Sequence, residues 1–438
     1  MRADTPPSAG TPGEPAVRVV IITLDNHLSG AIERARARFA AEQPGVTIGF
    51  HAAADWENPG KLDAARADIA RGDIILTSMI FLEDQIRAIK PALEARRDDC
   101  AAMVSLMSAG EVVELARMGD YGVGAPPKGP LGWLKKLPGS SKSGAANSGA
   151  AQMAVLRRLP KLLKWVPGTA QDVRAYFLTL QYWLAGSDDN AFAMVRALVD
   201  RYAAGPRSAL RGANKAEAPI EYPEVGVYHP DLKGRIGTSV AQLPWNKAGV
   251  GTIGLVMLRS YVLGKDANHY DGVIRALEAR GLNVIPAFSG GLDARPAMEE
   301  LFWKDGKQAV DAVVNLTGFS LVGGPAYNDA KAAEEALARL DRPYIAAHPV
   351  EFQSLQGWGA NKQGLLPLES TIMIAIPELD GGATPMVFGG RSDGTDAACT
   401  GCARGCIFEA TGPIRAMQPC TERADMLAAR VAKMVALR

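Results

Sequence analysis

No apolar run in these 438 residues approaches the roughly 20 needed for a membrane-spanning helix. There is no G-x-x-x-x-G-K-[ST] string, so the chain carries no P-loop, and any ATP used in its reaction must be bound by another protein. Met1 to Pro15 is polar, rich in Pro and Gly, and lacks the apolar core of a secretory signal. A cytoplasmic location is therefore expected. Histidine is scarce: His27, His51, His229, His269 and His348 are scattered, and no pair has metal-ligand spacing. Acidic residues are missing altogether between Tyr121 and Gln171, where Lys128, Lys135, Lys136, Lys142, Arg157, Arg158, Lys161 and Lys164 all fall. The overall balance is ordinary, with net charge +1 and 47% hydrophobic residues, and no nucleic-acid partner is expected from it.

Only Cys100 stands apart among the five cysteines. Cys399, Cys402, Cys406 and Cys420 crowd into DAACTGCARGC and the following QPC. Spacings of two and three residues bring thiolates around one point, as a tetrahedral zinc ion or an iron–sulfur cluster requires. Disulfides and unbound thiols are the rival readings, and a reducing compartment disfavours the disulfides. Sulfur-only ligation leaves zinc and iron–sulfur both open.

Val17 to Leu24 (VRVVIITL) reads as a strand buried on both faces. Ser29 opens a helix with Ile32, Ala35 and Phe39 on one face, and Pro44-Gly45 stops it. Strands at 46–51, 73–77 and 103–107 then alternate with helices at 61–71, 81–97 and 111–118. The stretch 121–150 contains GAPPKGPLG and PGSSKSGAANSGAA and reads as a basic linker, either a solvated tether or a docking segment for something anionic. Helices are expected at 151–165, 169–184 and 190–202, followed by a loop to Asn246. A second set of strands follows at 252–258, 282–288, 311–316, 343–346 and 372–376, with helices around Tyr270 to Leu277, at 328–339 and at 422–438. The fold class is thus α/β and multidomain, with two Rossmann-like parallel-sheet domains and a helical insert.

Gly249, Gly251 and Gly254 spell G-x-G-x-x-G but precede and enter a strand, the wrong order for a dinucleotide site. The turn Gly318 to Pro325 (GFSLVGGP) follows a parallel strand, at the edge where open α/β sheets hold ligands; a tight turn needing positive φ is the plainer reading. His27 and His348, each just past a strand, are the better placed histidines. Tyr176, Phe177, Tyr182 and Trp183 are read as core.

The strings VVIITLDNHLSGAIERA, GDIILTSMIFLEDQI, DVRAYFLTLQYWLAGSDDN, EYPEVGVYHPDL, ALEARGLNVIPAFSGGLD, DAVVNLTGFSLVGGPAYND and PMVFGGRS together resemble the large H subunit of magnesium chelatase, a family related to the large subunit of cobaltochelatase. The resemblance runs from Val17 onward. It implies binding of protoporphyrin IX and ATP-dependent insertion of Mg²⁺ with two partners, the AAA+ I subunit and the D subunit, in chlorophyll and bacteriochlorophyll biosynthesis for photosynthesis. It also favours a 4Fe-4S cluster over zinc at Cys399, Cys402, Cys406 and Cys420. Family members are more than twice as long, and the family's catalytic residues lie beyond this sequence, so no catalytic residue is assigned. The expected organisation is an N-terminal tail at 1–16, a Rossmann-like domain at 17–120, a linker at 121–150 and a helical segment at 151–205. A second α/β domain at 206–390 opens the chelatase region, and a cysteine-rich segment with a C-terminal helix occupies 391–438. The competing roles are a porphyrin carrier or redox-sensing module, and a cobaltochelatase-type subunit acting on a corrinoid. Peripheral membrane contact is left open by the basic linker.

Overall fold

The computed structural model describes residues 16–24, 26–56, 58–123, 158–212, 215–324, 327–394 and 415–437. The expected tail at 1–16 and linker at 121–150 fall almost wholly outside them. The chain divides into two compact units, Met1–Glu221 and Tyr222–Arg438.

In the first unit, β1 (Val17–Thr23), β2 (Val46–Ala52), β3 (Ile74–Ser78) and β4 (Ala102–Leu106) form a parallel sheet in the order β2-β1-β3-β4. Two short antiparallel strands, β5 (Arg117–Met118) and β6 (Tyr121–Gly122), extend it. The alternation of a strand decides which face each side chain covers. Val19 and Ile21 point into a core shared with Ile32, Phe39, Trp183 and Val195, whereas Val20 and Ile22 join Ile69, Ile86 and Ile89 on the other face. The first face is covered by helices Ser29–Glu42, Thr169–Ala185 and Asp188–Tyr202. The helical segment is therefore one wall of this layer. Tyr182 and Trp183 are core, as their helical spacing implies. Asp172, nearly buried, ties this wall together: it accepts from Arg201 Nη2 at 2.6 Å, from the Tyr202 hydroxyl at 2.9 Å and from the Asp120 backbone at 3.2 Å.

The second unit holds an eight-stranded sheet in the order β18-β17-β16-β13-β9-β10-β7-β8. Its members are β7 (Val225–Tyr228), β8 (Ile236–Gly237), β9 (Gly251–Leu258), β10 (Leu282–Ser289), β13 (Ala312–Asn315), β16 (Tyr344–Val350), β17 (Ala383–Arg391) and β18 (Met417–Pro419). Two small hairpins, β11 (Trp303–Lys304) with β12 (Lys307–Gln308) and β14 (Gly323–Gly324) with β15 (Tyr327–Asn328), lie outside it. The five central strands run parallel, and β7, β8 and β18 close the edges antiparallel. Ile253, Leu255 and Met257 face the helices Asn268–Glu278 and Thr421–Ala436; Val256 faces the helices Arg295–Leu301 and Ala330–Leu340.

Three local expectations are corrected. Residues 372–376 are helical, a π turn at Thr371–Ala375 between two short α-helical turns, since a short apolar run suits either periodicity. The helix expected at 111–118 is only Gly110–Val113, after which the chain turns into β5. The presumed loop up to Asn246 contains β7 and β8.

Each glycine of G-x-G-x-x-G has a packing reason. A Cβ on Gly249 would meet Asn283 Nδ2 at 2.3 Å, on Gly251 Val435 Cγ1 at 2.7 Å, and on Gly254 the Phe302 ring at 2.6 Å. Phe302 is fully buried, so its ring has nowhere to go. Gly254→Val should cost roughly 1–3 kcal/mol, the usual range for overpacking a filled core. Urea unfolding followed at the second unit should show an earlier midpoint; an unchanged midpoint would mean the strand is not seated under Phe302.

Candidate functional site

In an open parallel sheet ligands bind beyond the carboxyl ends of the strands. At that edge of the second sheet the chain places Arg259 after β9, Ser289 at the end of β10, the 315–322 turn after β13, His348 to Glu351 at the end of β16, and Arg391 at the end of β17.

The 315–322 turn is wound around one amide. Asn315 Nδ2 donates to the Phe319 carbonyl at 3.0 Å and to the Tyr344 hydroxyl at 3.1 Å, while its Oδ1 accepts from the Thr317 backbone at 3.0 Å and the Thr317 hydroxyl at 2.8 Å. Asp380 holds the far side, accepting from the Ser320 hydroxyl at 3.1 Å and from Leu321 N–H at 2.7 Å. Burial pushes the Asp380 carboxyl up from its ordinary value, and those two donors pull the other way. Gly318 sits at φ 74°, and a Cβ there would touch Pro349 at 3.1 Å. Its tight-turn reading therefore holds. The turn also bounds a small recess with Ser289, Leu292 and the end of β9, with room for about one water molecule. Pockets that enclose drug-sized ligands run from about 300 to 1,000 Å³, far more than this recess offers.

Burial separates the histidines sharply. His27 meets Trp183 edge-on at 6.5 Å. His51 Nε2 lies 2.9 Å from Asp68 Oδ2, an interaction that holds the Asp68 carboxyl below its ordinary value. His229 is satisfied by Glu278 Oε1 at 3.0 Å and by the Asp231 N–H at 3.2 Å. His269 is fully buried and stacks on Phe388 at 5.7 Å and 9°, with neither ring nitrogen hydrogen-bonded among the described residues. Burial, aided by the nearby Arg391 charge, drives its pKa well below the ordinary imidazole value. His348 is 2% exposed, and both its ring nitrogens also lack partners among the described residues. Burial, then the Arg423 guanidinium, lowers its pKa to about 4.

Of the four clustered cysteines, only Cys420 is among the described residues; Cys399, Cys402 and Cys406 lie outside them. Cys420 is fully buried against Val350, Leu355 and Val387, and it occupies the N-cap position of helix Thr421–Ala436 without a side-chain capping bond, at an end that favours negative charge. Cys100 is far off, its thiol donating to the Arg97 carbonyl at 3.4 Å and its pKa raised by burial. Among the described residues no three His, Cys, Asp or Glu side chains gather closely enough to hold a metal ion.

The two ends of the cysteine-bearing segment are pinned side by side. Arg391 pairs with Met417 across β17 and β18, and Ser392 N–H donates to the Ala416 carbonyl at 3.0 Å. Arg391, 1% exposed, donates through Nη1 to the Arg415 carbonyl at 2.6 Å and reaches Asp266 Oδ2 at 3.5 Å. The other Asp266 oxygen accepts from Met417 N–H at 2.7 Å. Nothing in the sequence pattern distinguishes Arg391, Asp266 or Asp380. Asn315, the last residue of β13 and next to last in DAVVNL, just before the glycine turn, carries a readable signal that the sequence reasoning missed.

A family model described as CobN/Magnesium Chelatase matches residues 180–438, and one described as a domain of unknown function, DUF3479, matches residues 18–177. The chain is 49% identical over 442 residues to the magnesium-chelatase H subunit of Cereibacter sphaeroides, covering 100% of this chain and 36% of that one. It is 50% identical over 421 residues to the magnesium-chelatase H subunit of Rhodobacter capsulatus, covering 96% and 35% respectively. With the chloroplastic magnesium-chelatase ChlH subunit of Oryza sativa subsp. japonica it shares 35% over 418 residues, 90% of this chain and 30% of that one. The chain spans about a third of the length of these curated relatives.

The buried His348 gives stability a pH dependence of definite sign. Folded, it stays neutral down to about pH 4; unfolded, it takes up a proton below its ordinary value of 6.5. Stability from this residue is therefore complete above about pH 6.5 and is lost as the pH falls towards 4, by about 3 kcal/mol at most. His348→Leu should flatten that portion of the urea-midpoint profile between pH 7 and 4.5. Parallel profiles for variant and wild type would mean that the imidazole is not held neutral.

Proposed function

The chain belongs to the CobN/magnesium chelatase family, and from that premise we propose that it is the N-terminal part of a magnesium-chelatase H subunit, the porphyrin-binding member of a complex that inserts Mg²⁺ into protoporphyrin IX. The observation that carries this reading is the near 50% identity along the whole chain to two proteins of that name. Insertion is demanding chemistry. Mg²⁺ gives up its waters reluctantly, and two pyrrole protons must leave as the metal enters the ring. With no P-loop in this sequence, ATP hydrolysis falls to the partner I and D subunits.

Within that division of labour these two units act as scaffold. The recess at the carboxyl edge of the second sheet has no room for the macrocycle, and no catalytic residue is assigned to this chain. The 438-residue chain mixed with protoporphyrin IX, Mg²⁺ and ATP should neither hydrolyse ATP nor yield the red-shifted absorbance of a metallated porphyrin. The full-length protein with its I and D partners present should do both. Turnover by this chain unaided would overturn the scaffold role, and tight porphyrin binding without turnover would favour the carrier reading. Turnover of cobalt and a corrinoid by the full-length assembly would assign it to the cobaltochelatase side of the family.

Cys420 supports a second element of the proposal, a sulfur-ligated centre held by Cys399, Cys402, Cys406 and Cys420. Cys420 fits such a centre: it is a fully buried sulfur at the positive end of a sixteen-residue helix, on a sheet edge that brings both ends of the cysteine-bearing segment together. An iron–sulfur cluster there supplies one-electron redox chemistry or a covalent brace; zinc supplies only the brace. Anaerobically purified chain should contain iron and acid-labile sulfide, and Cys420→Ser should lose them. Zinc in their place would correct the identity of the centre, and absence of any metal would remove it.

A further inference from the structure

The helical stretch 158–165 is apolar on both sides. Leu159 and Leu163 turn inward and pack with Ala170 and Val173. Leu162 and Trp165, three residues apart and so on one face, turn outward and are 66% and 83% exposed, and Val166 extends the patch. The positions between them are basic. Arg158, Lys161 and Lys164 are all exposed, and Lys164 Nζ lies 5.0 Å over the Trp165 ring. Lys161 has Glu221 at 3.6 Å, an exposed pair of the kind that contributes little; Lys164 has no acidic partner among the described residues.

Single exposed apolar residues are commonplace, but a tryptophan, a leucine and a valine together, interleaved with lysines, are not. This is the composition of a segment lying at a membrane–water interface, with the indole at headgroup level and the lysine ammonium groups reaching the lipid phosphates. Charge supports the same occupant. No acidic residue occurs from Tyr121 to Gln171, and the string LGWLKKLP at 131–138 repeats the Trp, Leu and Lys chemistry of LPKLLKWVP at 159–167. A lipid surface has no fixed shape to match, so an interleaved run of indole, leucine and lysine is enough to bind it, whereas a groove on a protein would need a set geometry.

We propose that the face formed by Leu162, Trp165, Val166, Lys161 and Lys164 docks the protein onto an anionic lipid surface. No helix among the described residues is long and apolar enough to cross a membrane, so this attachment is peripheral. It is independent of the reading of the protein as part of a chelatase.

The test is flotation of the 438-residue chain with vesicles of phosphatidylglycerol and phosphatidylcholine in equal parts, and with phosphatidylcholine alone. Binding is expected to the first and not the second, weakening as salt rises. Lys161→Gln/Lys164→Gln should weaken it by about tenfold or more, since each basic group near an anionic surface is worth about fivefold. Leu162→Ser/Trp165→Ser should abolish it while leaving the far-ultraviolet circular dichroism unchanged, because both side chains are exposed. Addition of anionic vesicles should shift the tryptophan emission of the wild type to the blue, and Trp165→Phe should remove most of that shift. Failure to float with the anionic vesicles, or flotation unaffected by Leu162→Ser/Trp165→Ser, would overturn the proposal. So would retention on immobilised polyglutamate, lost in both double variants, without vesicle binding; that result would give the face to an acidic protein.

Discussion

A parallel sheet buried on both faces is the constraint from which the rest of the second unit follows. Its strands carry apolar side chains on both sides, so helices must cover each face, and the chain can present polar groups to a ligand only where the strands end. Arg259, Asn315, His348 and Arg391 all come at such ends. The same constraint explains the glycines at 249, 251 and 254. They lie where helices and loops press on the sheet, and what they make room for is Asn283, Val435 and Phe302.

Polar groups that remain inside such a layer have to be matched or kept neutral. His269 and His348 take the second course: with both ring nitrogens unpartnered among the described residues, burial holds each imidazole uncharged near neutral pH. Arg391 cannot lose its proton and takes the first course in part, sharing Nη1 between the Arg415 carbonyl and Asp266. Isolating a guanidinium from water is expensive, so its position at the mouth of the segment 392–416 is informative. It and Asp266 hold the two ends of that segment in register on β17 and β18. The cysteines between them are thereby tethered at both ends to the sheet edge that carries Cys420.

Legibility in the sequence followed the range of the interactions involved. VRVVIITL, DIILT and LNVIPAF announced buried parallel strands because a strand covered on both faces needs an unbroken apolar run, a local property. The helices 169–185 and 188–202 were equally plain from their period. β17 was not, because ATPMVFGGR mixes Thr, Pro and two glycines. Gly389 and Gly390 are there to admit Gln418 and Val350, neighbours in space that no window of sequence reveals. The 372–376 run failed for the opposite reason, having apolar content with too little length to choose a period. At the candidate site, Gly318 and His348 stood out through their positions after strands. Asp380 and Asp266 could not, since one acts on a turn 59 residues away and the other on a backbone 151 residues away.

Family membership and site geometry answer different questions about this chain. Identity near 50% spreads over both units and attaches to no single residue, so it speaks for the family to which the fold belongs. Geometry speaks for what these residues can do themselves. The recess beside the 315–322 turn is small and its hydroxyls are already engaged: Ser289 donates to the Asp293 carbonyl, Thr317 to Asn315 and Ser320 to Asp380. Side chains committed in this way shape a wall but hold no free group for abstracting a pyrrole proton. The buried imidazole of His348, at the end of β16, is poised too low to act as a base of useful strength near neutral pH. Both lines are consistent with the scaffold role proposed above, in which the proton-accepting chemistry of metal insertion is supplied from outside these described layers.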